Sequence, residues 1–199
     1  MLNDIDVKEV VLVLMASEVQ LLFADLQESI VPLGRTRSES GVRAAARVLA
    51  QVADLLELPA TVSIAPRPEG PDPIVELSGL RPVGGVQVRT GAGCLDHVGT
   101  RDALLSTGRP TVLICGVLTE LVVQLTALDL IEAGMRVYVA LDACAGLSDS
   151  TELAALRRIE SAGGYVGCVP NLAADMVRDF TTPTGARVIG ALHGLFSAA

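Results

Sequence analysis

Residues 111–134, TVLICGVLTELVVQLTALDLIEAG, constrain this chain more than any other stretch. The first half is β-branched and apolar and stops at Gly116. The second half has helical spacing and stops at Gly134. That is a strand, a tight turn and a helix in immediate succession. In α/β proteins the C-terminal end of a parallel strand delivers side chains to a crevice. The first turn of the next helix adds unpaired N–H groups and a positive dipole end. Residues 116–123 are therefore the expected floor of a functional site.

The rest of the chain alternates in the same way. Residues 19–24 read as a buried strand with Asp25 at its end, and residues 38–56 as a helix capped by Ser38 or Ser40. Residues 60–65 give a second strand. Residues 66–73 hold four prolines and a glycine and read as a loop at the crevice. A short helix at 74–80, a strand at 85–89 and a helix at 96–106 precede the central unit. A strand at 136–141 ending in Asp142 follows it, then a helix at 151–162 with Ser148, Asp149 and Ser150 as cap candidates. A strand at 165–169 and helices at 172–180 and 184–196 complete the chain. Alternation of this kind predicts a three-layer α/β/α architecture around a mostly parallel, Rossmann-like sheet of about six strands.

Composition narrows the function. The chain of 199 residues suffices for one substantial core. It is 50% hydrophobic but only 3% aromatic, which suits Leu-, Val- and Ala-rich strands covered on both faces. A net charge of −8 with scattered arginines argues against nucleic acid and anionic membranes as partners. The four cysteines, Cys94, Cys115, Cys144 and Cys168, lack C-x-x-C spacing and read as packing residues of a cytoplasmic protein. His97 and His193 have no companions at ligand spacing, so no metal is expected, and no cofactor is called for. Gly91 and Gly93 hint at a dinucleotide fingerprint, but Asp96 stands where its third glycine belongs. The apolar run 10–16 is too short to span a bilayer and follows acidic residues. Residues 1–18 are read as a leader or an extra edge strand, with Met15 as an alternative start, and 19–199 as one domain.

Asp25, Arg89 and Val122 come from three different units, yet each sits at or just past a strand's C-terminal end. Around them the chain resembles the isochorismatase-like cysteine hydrolases. LLFADLQ is similar to that superfamily's first strand, with the catalytic aspartate at Asp25. GVLTELVV is similar to its glycine, valine, small residue, threonine, acid, any residue, cysteine, valine turn. The segment PRPEGPDPIVEL and the block LDACAGLSDSTELAALRRIESAGG resemble YcaC-type hydrolases most. The resemblance covers residues 19 to roughly 180.

The resemblance implies an Asp-Lys-Cys triad in which a thiolate attacks an amide or imidate carbon. The aspartate would shuttle the proton, and N–H groups at the helix start would hold the oxyanion. It further implies a cis peptide at Val117–Leu118, a small-molecule substrate held by Leu118, Thr119 and Leu121, and a homo-oligomer. This chain departs from that triad twice. Val122 occupies the cysteine position and has no nucleophilic atom. Arg89 occupies the lysine position and stays protonated at ordinary pH. Thiol catalysis is therefore expected to be lost, with Cys94, in the turn after Arg89, the best placed substitute thiol. Within the resemblance, true isochorismatases cleave an enol ether with glycine at the thiol position. Three roles stay open for Asp25: acid or base in an altered hydrolysis of an amide, imide or enol ether, part of a silent binding or assembly protein, or one half of a structural ion pair with Arg89.

Overall fold

The computed structural model describes residues 14–196, in which six parallel strands alternate with helices. The elements are β1 (Val19–Ala24), α1 (Glu39–Leu55), β2 (Ala60–Ile64), β3 (Val86–Val88), α2 (Val98–Ser106), β4 (Thr111–Val117), α3 (Gln124–Glu132), β5 (Arg136–Ala145), α4 (Asp149–Ser161), β6 (Tyr165–Gly167), α5 (Val169–Val177) and α6 (Pro183–Phe196). The sheet order is β3-β2-β1-β4-β5-β6, and every neighbouring pair is parallel. Helices α1, α5 and α6 pack together on one face, and α3 packs with α4 on the other, where α2 also lies against β2. Every residue of β1, β2 and β4 is buried, which explains why these strands are continuous apolar runs rather than alternating ones.

The strand order reverses between β1 and β4, so connections leave their C-terminal ends in opposite directions and open a crevice there. The two strands approach closely at that edge. A Cβ on Gly116 would lie 2.1 Å from the carbonyl oxygen of its neighbour Ala24, so only glycine fits.

Several boundaries differ from the sequence reading. The helix expected at 74–80 is only a 3-10 turn, Val75–Leu77, because Pro73 and Gly79 bracket it. Strand β5 continues to Ala145 through a register shift opposite Ile114 and Gly116, which places Asp142 inside the strand rather than at its end. Helix α5 begins at Val169, three residues before the expected start, with Pro170 in its first turn and Cys168 and Asn171 forming a capping box. It ends at Arg178, which has a φ of 62°. Ser38 and Ser148 are the caps of α1 and α4. Of the segment 1–18, residues 1–13 lie outside the described residues. Ala16–Glu18 forms a 3-10 turn leading into β1. Among the described residues no helix is long and apolar enough to cross a membrane.

Candidate active site

The crevice is built by the ends of β1, β2, β3 and β4. Asp25 follows β1 and turns the chain through a φ of 53°, in the left-handed region that aspartate tolerates better than most residues. Its N–H donates to the Ser63 carbonyl of β2 at 2.9 Å. Arg89 follows β3, and its N–H donates to the Ile64 carbonyl at 2.9 Å. The arginine then reaches across β2 to Asp25. Nη1 donates to Asp25 Oδ1 at 2.7 Å and Nη2 to Oδ2 at 2.6 Å, a two-pronged pair. Nη1 also lies 3.4 Å from the Ser63 hydroxyl, and Nε, although buried, has no partner among the described residues.

This pair is almost dry. Arg89 is 2% exposed and Asp25 is 7% exposed. Burial is the largest influence and disfavours the guanidinium, but the bonds from Asp25 together with the nearby Cys94, Asp25 and Asp96 charges outweigh it and hold Arg89 above its ordinary pKa. Each carboxylate oxygen of Asp25 accepts one bond from the arginine and keeps a second lone pair.

Val122 lies on a π-helical turn, Thr119–Val123, between β4 and α3, and is 1% exposed. The Val117–Leu118 peptide at the start of this turn is cis. Leu121 N–H donates to the Leu118 carbonyl at 3.2 Å, which occupies one of the donors that an oxyanion would need. Leu118 is half-buried, and Leu121 is 49% exposed at the rim. Thr119 is fully buried, and its hydroxyl donates to Glu152 Oε1 of α4 at 2.7 Å. Asp25 and Arg89 thus meet directly, and Val122 and Thr119 are buried on the neighbouring turn. A cavity of about 420 Å³ among the described residues is bounded by Arg47, Leu55, Glu76, Leu80 and Ala191, none of which belongs to this site.

Most of the thiols are buried as well. Cys94, Cys115 and Cys144 are buried, and burial pushes all three thiols up, Cys144 to about 12. Cys94 packs between the Ser63 and Thr126 hydroxyls, where nearby Arg89 partly counters the effect of burial. Cys168 is the half-buried exception. His97 caps α2, its Nδ1 accepting the Thr100 N–H at 3.2 Å, which accounts for it without a metal. No group of three or more metal-ligating side chains occurs among the described residues.

Residues that sequence reasoning passed over hold this site in place. Ser63 is one, and alternation along β2 puts it on the same sheet face as Ala24. Glu152 is another, a buried carboxylate that also accepts both short bonds of Arg37 Nη1, at 2.8 and 2.9 Å. Glu120 Oε1 accepts from Leu147 N–H and the Thr151 hydroxyl, each at 2.7 Å, so α4 clamps the turn from behind. Nothing local in the sequence marked Thr126, Glu152 or Arg37.

A parallel sheet in the order 3-2-1-4-5-6 with helices on both faces defines a three-layer α/β protein with a hydrolase-like fold. The isochorismatase domain matches residues 19–170, and the chain belongs to the isochorismatase family. It is 34% identical over 166 residues to isochorismatase domain-containing protein 2A of Mus musculus, covering 82% of this chain and 77% of that one. YcaC from Pseudomonas aeruginosa, solved with hexane-2,5-diol and covalent acrylamide, superposes with a TM-score of 0.83 at 23% identity, covering 92% of this chain and 94% of that one. YcaC from Escherichia coli, described as an octameric hydrolase of unknown specificity, superposes with a TM-score of 0.81 at 25% identity, covering 93% and 89%.

Proposed function

We propose that this chain keeps the family's hydrolase scaffold without its thiol chemistry, and acts as a catalytically silent member that binds a small ligand or assembles with copies of itself. One observation carries the reading. The Asp25 carboxylate is bound at both oxygens by a buried arginine, while the neighbouring turn presents a buried valine where the family places its thiol. A general acid or base must be free to exchange a proton, and a nucleophile must have a lone pair within reach of substrate. In this reading Asp25 serves to hold the arginine, and Val122 offers no lone pair to a substrate. Three of the four cysteines are buried and all four are free thiols, which suits a reducing compartment such as the cytoplasm. The octameric state given for the Escherichia coli relative supports a homo-oligomer.

The test is a panel of small amides, imides and enol ethers, read by product release and, separately, by ligand-induced thermal stabilisation. A silent binder gives no turnover above the Asp25→Asn background but a rise in Tm with a bound compound. Turnover of an enol ether that Asp25→Asn abolishes would instead establish a thiol-independent hydrolase. Acrylamide serves as the thiol probe, since it is the covalent group on the Pseudomonas aeruginosa relative. A fast adduct should appear in Val122→Cys/Arg89→Lys and not at any buried thiol of the wild type.

A further inference from the structure

Helix α2 carries apolar side chains on two opposite faces. Ala103 and Leu104 are buried on the inner face, where the helix packs on β2. On the outer face Val98 and Leu105 are 57% and 61% exposed, more than any other large apolar residue described except Val75. A helix that only covers a sheet keeps its outer face polar, so an apolar pair there marks a face that something else covers. The helix also borders the open edge of the sheet. Gly99 is pressed against the Gln87 side chain of β3, and Val86 and Val88 of that edge strand are exposed as well.

Two charges frame this apolar pair. With about 100° of turn per residue, Val98 and Leu105 fall within about 20° of each other, with Arg101 about 50° to one side of their midline and Asp102 about 50° to the other. Among the described residues neither Arg101 nor Asp102 forms an ion pair within its own chain. As sequence neighbours on a helix they do not face each other. The outer face of α2 is therefore neutral, although the chain as a whole carries a charge of −8. Two copies of so acidic a chain repel unless the surfaces that meet are balanced in charge. Here one positive and one negative side chain stand on opposite flanks of an apolar seam, an arrangement complementary to itself.

We propose that the outer face of α2 is an interface with a second copy of this chain, formed about a twofold axis parallel to the helix. Val98 then packs on the partner's Val98, and Leu105 on the partner's Leu105. Such an axis sets the left flank of each helix against the right flank of the other. Arg101 therefore meets the partner's Asp102, and Asp102 meets the partner's Arg101. The antiparallel alternative sets Arg101 against the partner's Arg101 and Asp102 against the partner's Asp102, and like charges select against it. The inference rests on the self-assembly in the proposed function and names the surface that performs it.

Sedimentation equilibrium of the full chain at neutral pH tests this, each copy contributing 20.7 kDa. Wild type should behave as a dimer or a multiple of one. Arg101→Asp and Asp102→Arg should each raise the dissociation constant at this interface about tenfold or more, because each sets like charges face to face. The double variant Arg101→Asp/Asp102→Arg restores opposite charges and should return the constant to within about threefold of wild type. Should a charge variant fail to fold, Leu105→Lys carries the test, and an unchanged mass for it overturns the interface. The surface is also refuted if the single charge variants keep the wild-type mass, or if the double variant stays as weak as the singles. An oligomeric wild type with unaffected variants would overturn this surface and leave self-assembly standing. A wild type that is monomeric up to about 100 μM would overturn both.

Discussion

Removing one partner of the Asp25–Arg89 pair gives the most informative perturbation of this fold. In Arg89→Met the Asp25 carboxylate, only 7% exposed in the wild type, loses both of its charge-assisted bonds. Breaking a buried pair from one side costs about 3–5 kcal/mol, because the surviving charge is stranded in low dielectric. Asp25→Asn strands the arginine in turn, and with Arg89 at 2% exposure its loss should fall in the same range. The double variant Asp25→Asn/Arg89→Met removes both charges and should recover most of the loss, since an uncharged pair of similar volume is often neutral. The assay is urea unfolding of the four proteins at neutral pH, closed as a double-mutant cycle. A cost of about 3 kcal/mol corresponds to roughly 6–12 °C in Tm for a chain of this size, so calorimetry checks the same numbers. Single losses under about 1 kcal/mol that simply add would show a solvated pair. The dry, closed crevice would then be wrong.

Other expectations follow from single contacts. Gly116→Ala should destabilise by about 3 kcal/mol or more, because its Cβ would sit 2.1 Å from the Ala24 carbonyl oxygen, and urea unfolding reads it directly. Asp129→Asn should stabilise the fold at neutral pH and lose that advantage as pH falls toward 3.8, since the wild-type carboxyl is held above its ordinary value. A pH series of unfolding free energies checks the sign. A thiol reagent should label one cysteine quickly in the folded protein and four after unfolding, with Cys168→Ser removing the fast one. Glu152→Ala should cost about 1.5–3 kcal/mol by stripping Thr119 and Arg37 of a charged acceptor. It should do less harm than breaking the Asp25 pair, because Arg37 is 26% exposed and can turn to water.

The architecture was legible because each element declares itself locally. Apolar β-branched runs ending in Asp25 and Gly116 mark strands buried on both faces, and the caps Ser38 and Ser148 mark helix starts. What local reading misplaced depends on partners distant in sequence. Asp142 looked like a strand end, but the register shift against β4 carries β5 past it, and the side chain instead accepts the Val169 N–H at 2.8 Å. Cys168 read as part of a final strand, yet Pro170 and the Asn171 box make it a helix cap. At the site, Asp25 and Arg89 were legible as strand-end charges, and the ion pair was one of the roles open to them. Its two-pronged geometry and the Ser63 link required the order of β1, β2 and β3. Glu152 was invisible for a related reason. It sits on an otherwise polar helix as one acid among several, and only the packing of α4 behind the 119–123 turn singles it out.

The central claim, that the crevice is closed by an ion pair and has no working thiol, is tested most directly by product release from small amides and enol ethers with wild type and Asp25→Asn side by side. The account predicts identical traces at the uncatalysed background for every compound. Turnover by the wild type that disappears in a folded Asp25→Asn protein would contradict it.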